Sequence, residues 1–237
     1  MGLTTEMIMI GIFNLLLVLV FIIVALIIML KYWKAKDKTF LLTGIAWFGI
    51  SEPWWPATVS FLIALFTGKG LSIHAYLIIN AAFLPIFLTF WLWVMLHLMG
   101  IKKKVILIII HLLISLILEL LFFYFLFTDV SMLGTTTKMS PVDIDFGPIA
   151  QVFLAYILTV FLISGFSFAI KTLKIDEPRP KLRGKFLLLA FLLYLIGAIL
   201  ELIIYSIINK LIILSSAIVF YIAFVMPEKI ERLFLKK

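Results

Sequence analysis

The sequence predicts an all-α integral membrane protein, a bundle of seven transmembrane helices. Three observations support this fold class: 65% of the 237 residues are hydrophobic, the mean hydropathy is +1.27, and the apolar residues fall into long runs with almost no charge. Soluble domains are nearer half apolar and a quarter charged, whereas only 14% of this chain is charged. Most of its surface therefore needs lipid rather than water as its solvent.

The apolar runs number seven, and a helix of roughly 20 residues is needed to cross a bilayer core of about 30 Å. We expect the first run to be a mature helix and not a signal peptide, because Glu6 and no basic residue precedes it. The last run is short, and only Asn209 and Lys210 separate it from the sixth, which predicts a tight hairpin. The predicted helices of this single domain, 1–237, cover about 7–30, 39–67, 71–99, 105–127, 148–170, 186–208 and 211–226.

Basic residues are distributed unevenly among the predicted loops. Seventeen of the 20 Lys and Arg follow the odd-numbered runs, and only Lys69, Lys138 and Lys210 lie on the other side. Because cytoplasmic loops collect Lys and Arg, this alternation predicts an outside N-terminus and a cytoplasmic C-terminus in a cell membrane. The formal net charge of +8 then reflects topology and contact with anionic lipid headgroups, and we expect no nucleic-acid partner.

Three glutamates interrupt the apolar runs: Glu52, Glu119 and Glu201. Each lies roughly 20–22 Å from the start of an even-numbered predicted helix, so we expect one layer of acids in the outer half of the membrane. A carboxyl at that depth is costly unless it faces the bundle interior or water. Two interpretations stay open: the acids line an outward-facing cavity that binds a cation, proton or polar ligand, or they hold helices together by hydrogen bonds.

The segment around Glu52 reads Ser-Glu-Pro-Trp-Trp-Pro over residues 51–56. Its two prolines remove two backbone donors, which predicts a kink or break in the second helix. In one interpretation, Trp54, Trp55 and the carbonyls freed by the break surround a ligand beside Glu52. In the other, the two tryptophans belong to the aromatic belt at the membrane interface.

Two further polar residues are expected near this layer. Asn80 lies about ten residues from the outer end of the third predicted helix, and Tyr205 shares a helix face with Glu201. We expect no metal site, no cofactor and no enzymatic activity. The chain has no cysteine and none of the common zinc, nucleophile-elbow, phosphate-loop or dinucleotide motifs.

A short segment recurs in the fourth and sixth runs: residues 113–120 read LISLILEL and residues 195–202 read LIGAILEL. The likeness suggests a two-helix repeat that pairs predicted helices 2–3, 4–5 and 6–7. The second segment, with its small residues and glutamate, resembles the seven-helix sensor regions that precede microbial histidine kinases. Too few residues follow Pro227 for a kinase domain, so signalling is expected to need a separate protein partner.

The resemblance implies a receptor-like protein that binds a small ligand, lipid or partner in an outward-facing pocket lined by the intramembrane glutamates. A small carrier or channel for protons, cations or a polar solute is a second hypothesis. The nearly apolar inner half of the predicted helices argues against access from both sides. A structural subunit of a larger membrane complex is the third hypothesis.

Overall fold

The computed structural model of the chain describes residues 3–203 and 206–235, and it confirms the all-α class. Six helical segments in this described part are long and apolar enough to cross a membrane, which suggests a multi-pass membrane protein; one of them, Ile73–Leu98, consists of two consecutive helices. A hairpin of two three-residue antiparallel strands accompanies the helices. The elements are α1 (Thr5–Ala35), α2 (Lys38–Ile50), α3 (Trp55–Thr67), α4 (Ile73–Ala81), α5 (Leu84–Leu98), α6 (Lys104–Thr128), β1 (Gly134–Thr136), β2 (Ile144–Phe146), α7 (Pro148–Leu173), α8 (Pro178–Ile203), α9 (Ile207–Val225) and α10 (Glu228–Leu235).

The bundle has two chemically different ends. The basic end holds the turns after α1, α5 and α7 together with α10, and the loop end holds the turn after α3 and the start of α9 together with residues 129–147. Some lysines of the basic end bond helix termini: Lys31 donates to the carbonyl of Val225 at 2.7 Å, and Lys171 donates to the carbonyl of Met99. These bonds satisfy carbonyls that the ends of α9 and α5 leave unpaired.

The predicted break in the second apolar run is confirmed. α2 ends at Ile50, residues 52–54 form one 3-10 turn, and α3 begins at Trp55. Each half has 13 residues, too few to cross a bilayer core alone. The two halves nevertheless pack one after the other along α1, since Gly44 lies against Met29 and Phe61 lies against Gly11.

The third run is also interrupted, which we did not expect. α4 ends at Ala81 and α5 starts at Leu84, with Pro85 in its first turn. Proline lacks an N–H and its ring clashes with the preceding turn, so it suits the start of a helix and breaks its interior.

Two predicted boundaries in the C-terminal part are wrong. α8 begins at Pro178, eight residues before the expected start, and α9 begins at Ile207, so Lys210 lies inside a helix. The expected tight pairing of these helices is confirmed by Gly197, where a Cβ would lie 2.4 Å from a side-chain carbon of Ile213. Only a residue without a side chain allows this approach.

Stacked rings fill the half of the core nearer the basic end. The rings of Trp47 and Phe220 are parallel with centroids 3.7 Å apart, and those of Trp91 and Phe161 are 4.8 Å apart. We call these four residues and Phe191 the aromatic cluster. It joins α2, α5, α7, α8 and α9, and all five side chains are buried.

The loop end is covered by the β-hairpin and the segment between its strands. Ser60 of α3 donates a 2.5 Å hydrogen bond to the carbonyl of Pro141, and Tyr76 of α4 donates to the carboxylate of Asp143. Leu133 and Val142 are buried beneath the hairpin. Residues 129–147 therefore form a folded cap and not an extended loop.

Candidate functional site

Glu52 lies where the two helix breaks meet, and its side chain is fully buried. Its Oε1 accepts a 2.9 Å hydrogen bond from the backbone N–H of Phe83, at the start of α5. In the opposite direction, the amide of Asn80 donates a 3.0 Å bond to the carbonyl of Pro53. Each break thus leaves a backbone group that a side chain from the other break satisfies. The carboxyl also sits at the positive end of the α5 dipole.

Only one of the two oxygens of the Glu52 carboxyl is hydrogen-bonded within the described residues. Its Oε2 is buried and has no hydrogen-bond partner among the described residues, and neither do the buried amide of Asn14 in α1 and the indole N–H of Trp47. Buried polar atoms in proteins are nearly always paired with protein, water or ligand. These three groups therefore mark an interior region that lacks polar partners of its own.

Glu119, on α6, is half-buried, and its charge acts on Glu52. One and two turns before it, Ser115 and His111 lie on the same helix face and are buried. The His111 ring lies 2.8 Å from the hydroxyl of Tyr156 on α7. We call Glu52, Asn80, His111, Glu119 and Tyr156 the polar seam.

His111 also links α6 to the second break. Its Nε2 lies 3.4 Å from the carbonyl of Pro85 in the first turn of α5. A neutral ring with its proton on Nε2 fits both contacts, because Nε2–H then donates to Pro85 and Nδ1 accepts from Tyr156. In the sequence alone, the one feature that relates His111 to Glu119 is their spacing of eight residues, which places both on one helix face.

The side of the bundle next to α6 is where the polar seam comes nearest to the surface. The side chain of Phe83, at the second break, is 54% exposed, and α6 exposes residues such as Leu116 and Leu120 along most of its length. The cap covers the loop end of the bundle. The aromatic cluster fills the core on the side of the basic end. Glu119 is therefore partly exposed on the side of the bundle that α6 forms.

Glu201 belongs to a different group near the loop end. It forms an ion pair with Lys210 of α9, whose side chain is buried. The charges of both residues act on Asp143 of the cap, and Asp143 accepts from Tyr76. Burial raises the pKa of the Asp143 carboxyl to about 6, although Lys210 and the Tyr76 hydrogen bond oppose the shift. The expected layer of three acids is thus divided between two groups.

The remaining predicted site residues have separate environments. Trp54 is buried between Phe21 and Tyr194, with ring centroids 6.0 and 6.3 Å away. Trp55 is half-buried, and its indole N–H donates a 2.8 Å bond to the hydroxyl of Ser51, which braces the break. Tyr205 lies outside the described residues.

Two cavities, of about 460 and 150 Å³, open at the basic end, and none of the predicted site residues lines either of them. Within residues 3–203 and 206–235, no three histidines or acids gather as metal ligands. Among the described residues, the Glu52 Oε2 is the atom of the polar seam that is buried without a hydrogen-bond partner.

Comparison with known proteins returned no match: no protein-family model, no curated protein and no solved structure is significantly similar to this chain.

Proposed function

We propose that the chain crosses a cell membrane seven times, with its N-terminus outside and its C-terminus in the cytoplasm. In this arrangement α2 and α3 together form one interrupted crossing. Their consecutive packing along α1 supports it, as does the placement of 17 of the 20 basic residues on the side of the basic end.

The absence of native cysteine makes the topology directly testable. A single cysteine at Lys69, in the turn after α3, should react with a membrane-impermeant maleimide added to intact cells. A single cysteine at Lys102, in the turn after α5, should react only after the membrane is opened. Equal labelling of both sites in intact cells would refute seven crossings.

We infer that the protein is of the receptor or sensor type and binds a small membrane-soluble ligand, a lipid or a partner helix at the polar seam. The observation that supports this most strongly is the buried Glu52 Oε2 at the junction of two helix breaks, which has no hydrogen-bond partner in the part of the chain that the structure describes. An acid that served only to join helices would be expected to use both of its oxygens. The resemblance of residues 195–202 to sensor regions agrees with this function.

Binding from one side follows from the position of the aromatic cluster. Trp47 precedes Glu52 by five residues, about 7.5 Å along a helix, on the side of the basic end. Its ring stacks on Phe21 at 5.1 Å and on Phe220 at 3.7 Å. Water or ions would have to separate these stacked rings to continue toward the cytoplasm.

A carrier is the second candidate, and one observation favours it. Interrupted helices that meet at a buried polar group are typical of transporters, where the freed backbone groups bind substrate. Proton flux distinguishes the two functions. Liposomes that contain the protein and a pH-sensitive dye should show no flux above empty liposomes if the protein is a receptor. Flux that Glu52→Gln and Glu119→Gln abolish, and Glu201→Gln spares, would establish the carrier instead.

Access to the polar seam is tested with dicyclohexylcarbodiimide, an apolar reagent that modifies carboxylic acids from within the membrane. We expect modification of Glu119, which is half-buried beside the lipid-facing surface of α6. Glu201 should be spared because it is paired with Lys210. Peptide mass spectrometry after brief treatment measures both sites at once. Modification of Glu201 before Glu119 would contradict the proposed lateral access.

A further inference from the structure

The cavity of about 460 Å³ is a groove at the basic end, between the start of α8 and α10. Its volume of about 460 Å³ lies within the range of small-molecule sites. It is remote in chain position from every residue of the polar seam. Its walls are formed mainly by Lys181, Lys185, Phe186, Leu189, Phe234 and Leu235.

The wall on α8 changes from charged to apolar along the helix. Lys181, Lys185 and Leu189 are spaced four residues apart, so their side chains form one stripe with about 6 Å between neighbours. Both lysines are exposed, and neither lies within ion-pair distance of a carboxylate among the described residues. Leu189 is 45% exposed. The groove therefore combines two positive charges with an apolar floor that lies further along α8.

The opposite wall is a short amphipathic helix held in place by side chains. The Arg179 guanidinium lies 3.1 Å from the Glu231 carboxylate, and the rings of Phe186 and Phe234 meet edge to face at 5.4 Å. Leu233 is 70% exposed on the same helix. Exposed apolar residues on a charged helix of this kind lie at the boundary between headgroups and acyl chains.

We propose that this groove binds an anionic phospholipid, with its phosphate between Lys181 and Lys185 and an acyl chain along Phe186 and Leu189. The order of the groups matches a lipid, because the charges lie at the end of α8 and the apolar contacts lie one turn deeper into its membrane-crossing part. A soluble anion would use only the two lysines. An acidic peptide would pair with the two lysines but would make no use of the apolar floor.

Thermal unfolding of the full chain in dodecyl maltoside, followed by circular dichroism, tests the proposal. The probes are dioleoylphosphatidylglycerol, dioleoylphosphatidylcholine, and water-soluble glycerol 3-phosphate. The site variants are Lys181→Gln/Lys185→Gln and Leu189→Gln. The matched control, Lys102→Gln/Lys103→Gln, removes the same charge from the turn after α5, outside the groove.

Phosphatidylglycerol should raise the unfolding midpoint of the wild type and of the control at lower mole fractions than phosphatidylcholine does. The double lysine variant should need about tenfold more phosphatidylglycerol for the same shift. Leu189→Gln should weaken the response to both lipids. Equal losses in the double variant and the control would overturn the proposal in favour of diffuse surface charge. Stabilisation by glycerol 3-phosphate equal to that by the lipid would replace it with a soluble-anion site.

Discussion

Replacing Glu52 by alanine tests whether its carboxyl joins the two helix breaks. The change removes the acceptor of the Phe83 N–H, which lies inside the membrane-crossing segment. An unpaired buried donor costs about 1–3 kcal/mol. Truncation also empties part of a fully buried site, at about 0.8 kcal/mol for each methylene removed. We expect a total loss of about 2–4 kcal/mol in the free energy of unfolding.

Glu52→Gln is the matched variant, because its amide keeps an oxygen where Oε1 accepts from Phe83 and preserves the side-chain volume. It should lose about 1 kcal/mol or less. Reversible unfolding in sodium dodecyl sulfate, followed by helical circular dichroism, measures both variants against the wild type. The alanine variant should also unfold about 4 °C or more lower, since 1 kcal/mol shifts the midpoint of a chain of this size by about 2–4 °C.

A double-mutant cycle with Asn80→Ala completes the test. Asn80 bonds the first break and Glu52 bonds the second, so loss of either should loosen the same contact. We expect a coupling energy of about 0.5 kcal/mol or more. The reasoning is refuted if Glu52→Ala and Glu52→Gln lose the same stability and the cycle shows no coupling, because the carboxyl would then have no role in joining the breaks.

Three other predictions concern the two ends of the bundle. The Asp143 pKa is raised from 3.8 to about 6, so the folded state binds this proton more tightly than the unfolded chain does. The protonated carboxyl therefore contributes stability that is complete below about pH 4 and is lost as the pH rises through 6. The total is about 3 kcal/mol, and Asp143→Asn should remove this part of the pH dependence of the unfolding midpoint, whereas substitution of the exposed Asp145 should not. Lys31→Met should cost about 1 kcal/mol, measured by detergent unfolding, because it frees the carbonyl that ends α9, and the exposed Lys34→Met should be nearly neutral. Asp37→Ala should also cost about 1 kcal/mol, since this side chain caps α2. The hydrogen bonds from Thr39 favour the ionised carboxylate and lower its pKa, so the loss should become smaller as the pH falls and the carboxylate is protonated. An unchanged unfolding midpoint at neutral pH would contradict the cap.

Helices and helix breaks depend largely on residues close to one another in the chain, so the sequence alone predicts many of them. Long apolar runs predict helices wherever they occur, and the prolines at 53 and 56 predict the first break from chemistry within one segment. The second break was missed because Pro85 stands inside a run that is otherwise uninterrupted. The starts of α8 and α9 were misplaced because their first turns include charged or polar residues that hydropathy assigns to loops.

The candidate site depends on contacts between segments. Counting residues placed Glu52, Glu119 and Glu201 at similar depths, but depth says nothing about which face of the bundle each helix presents. The packing brings Glu119 close enough for its charge to act on Glu52, and it pairs Glu201 with Lys210. A lysine predicted to lie in a turn was thereby found to occupy a helix and to neutralise one of the three acids.

The amino-acid sequence alone predicts the class of the protein, the distribution of its charge between two ends, and the helix break at residues 51–56. These properties follow from composition and from spacing along one chain. The contacts between helices establish that the two breaks meet, that Glu52 bonds the backbone of Phe83, and that the Glu52 Oε2 has no hydrogen-bond partner among the described residues. A helix break leaves backbone N–H and C=O groups without partners inside the helix. The packing of the other helices then determines which side chains lie close enough to bond them.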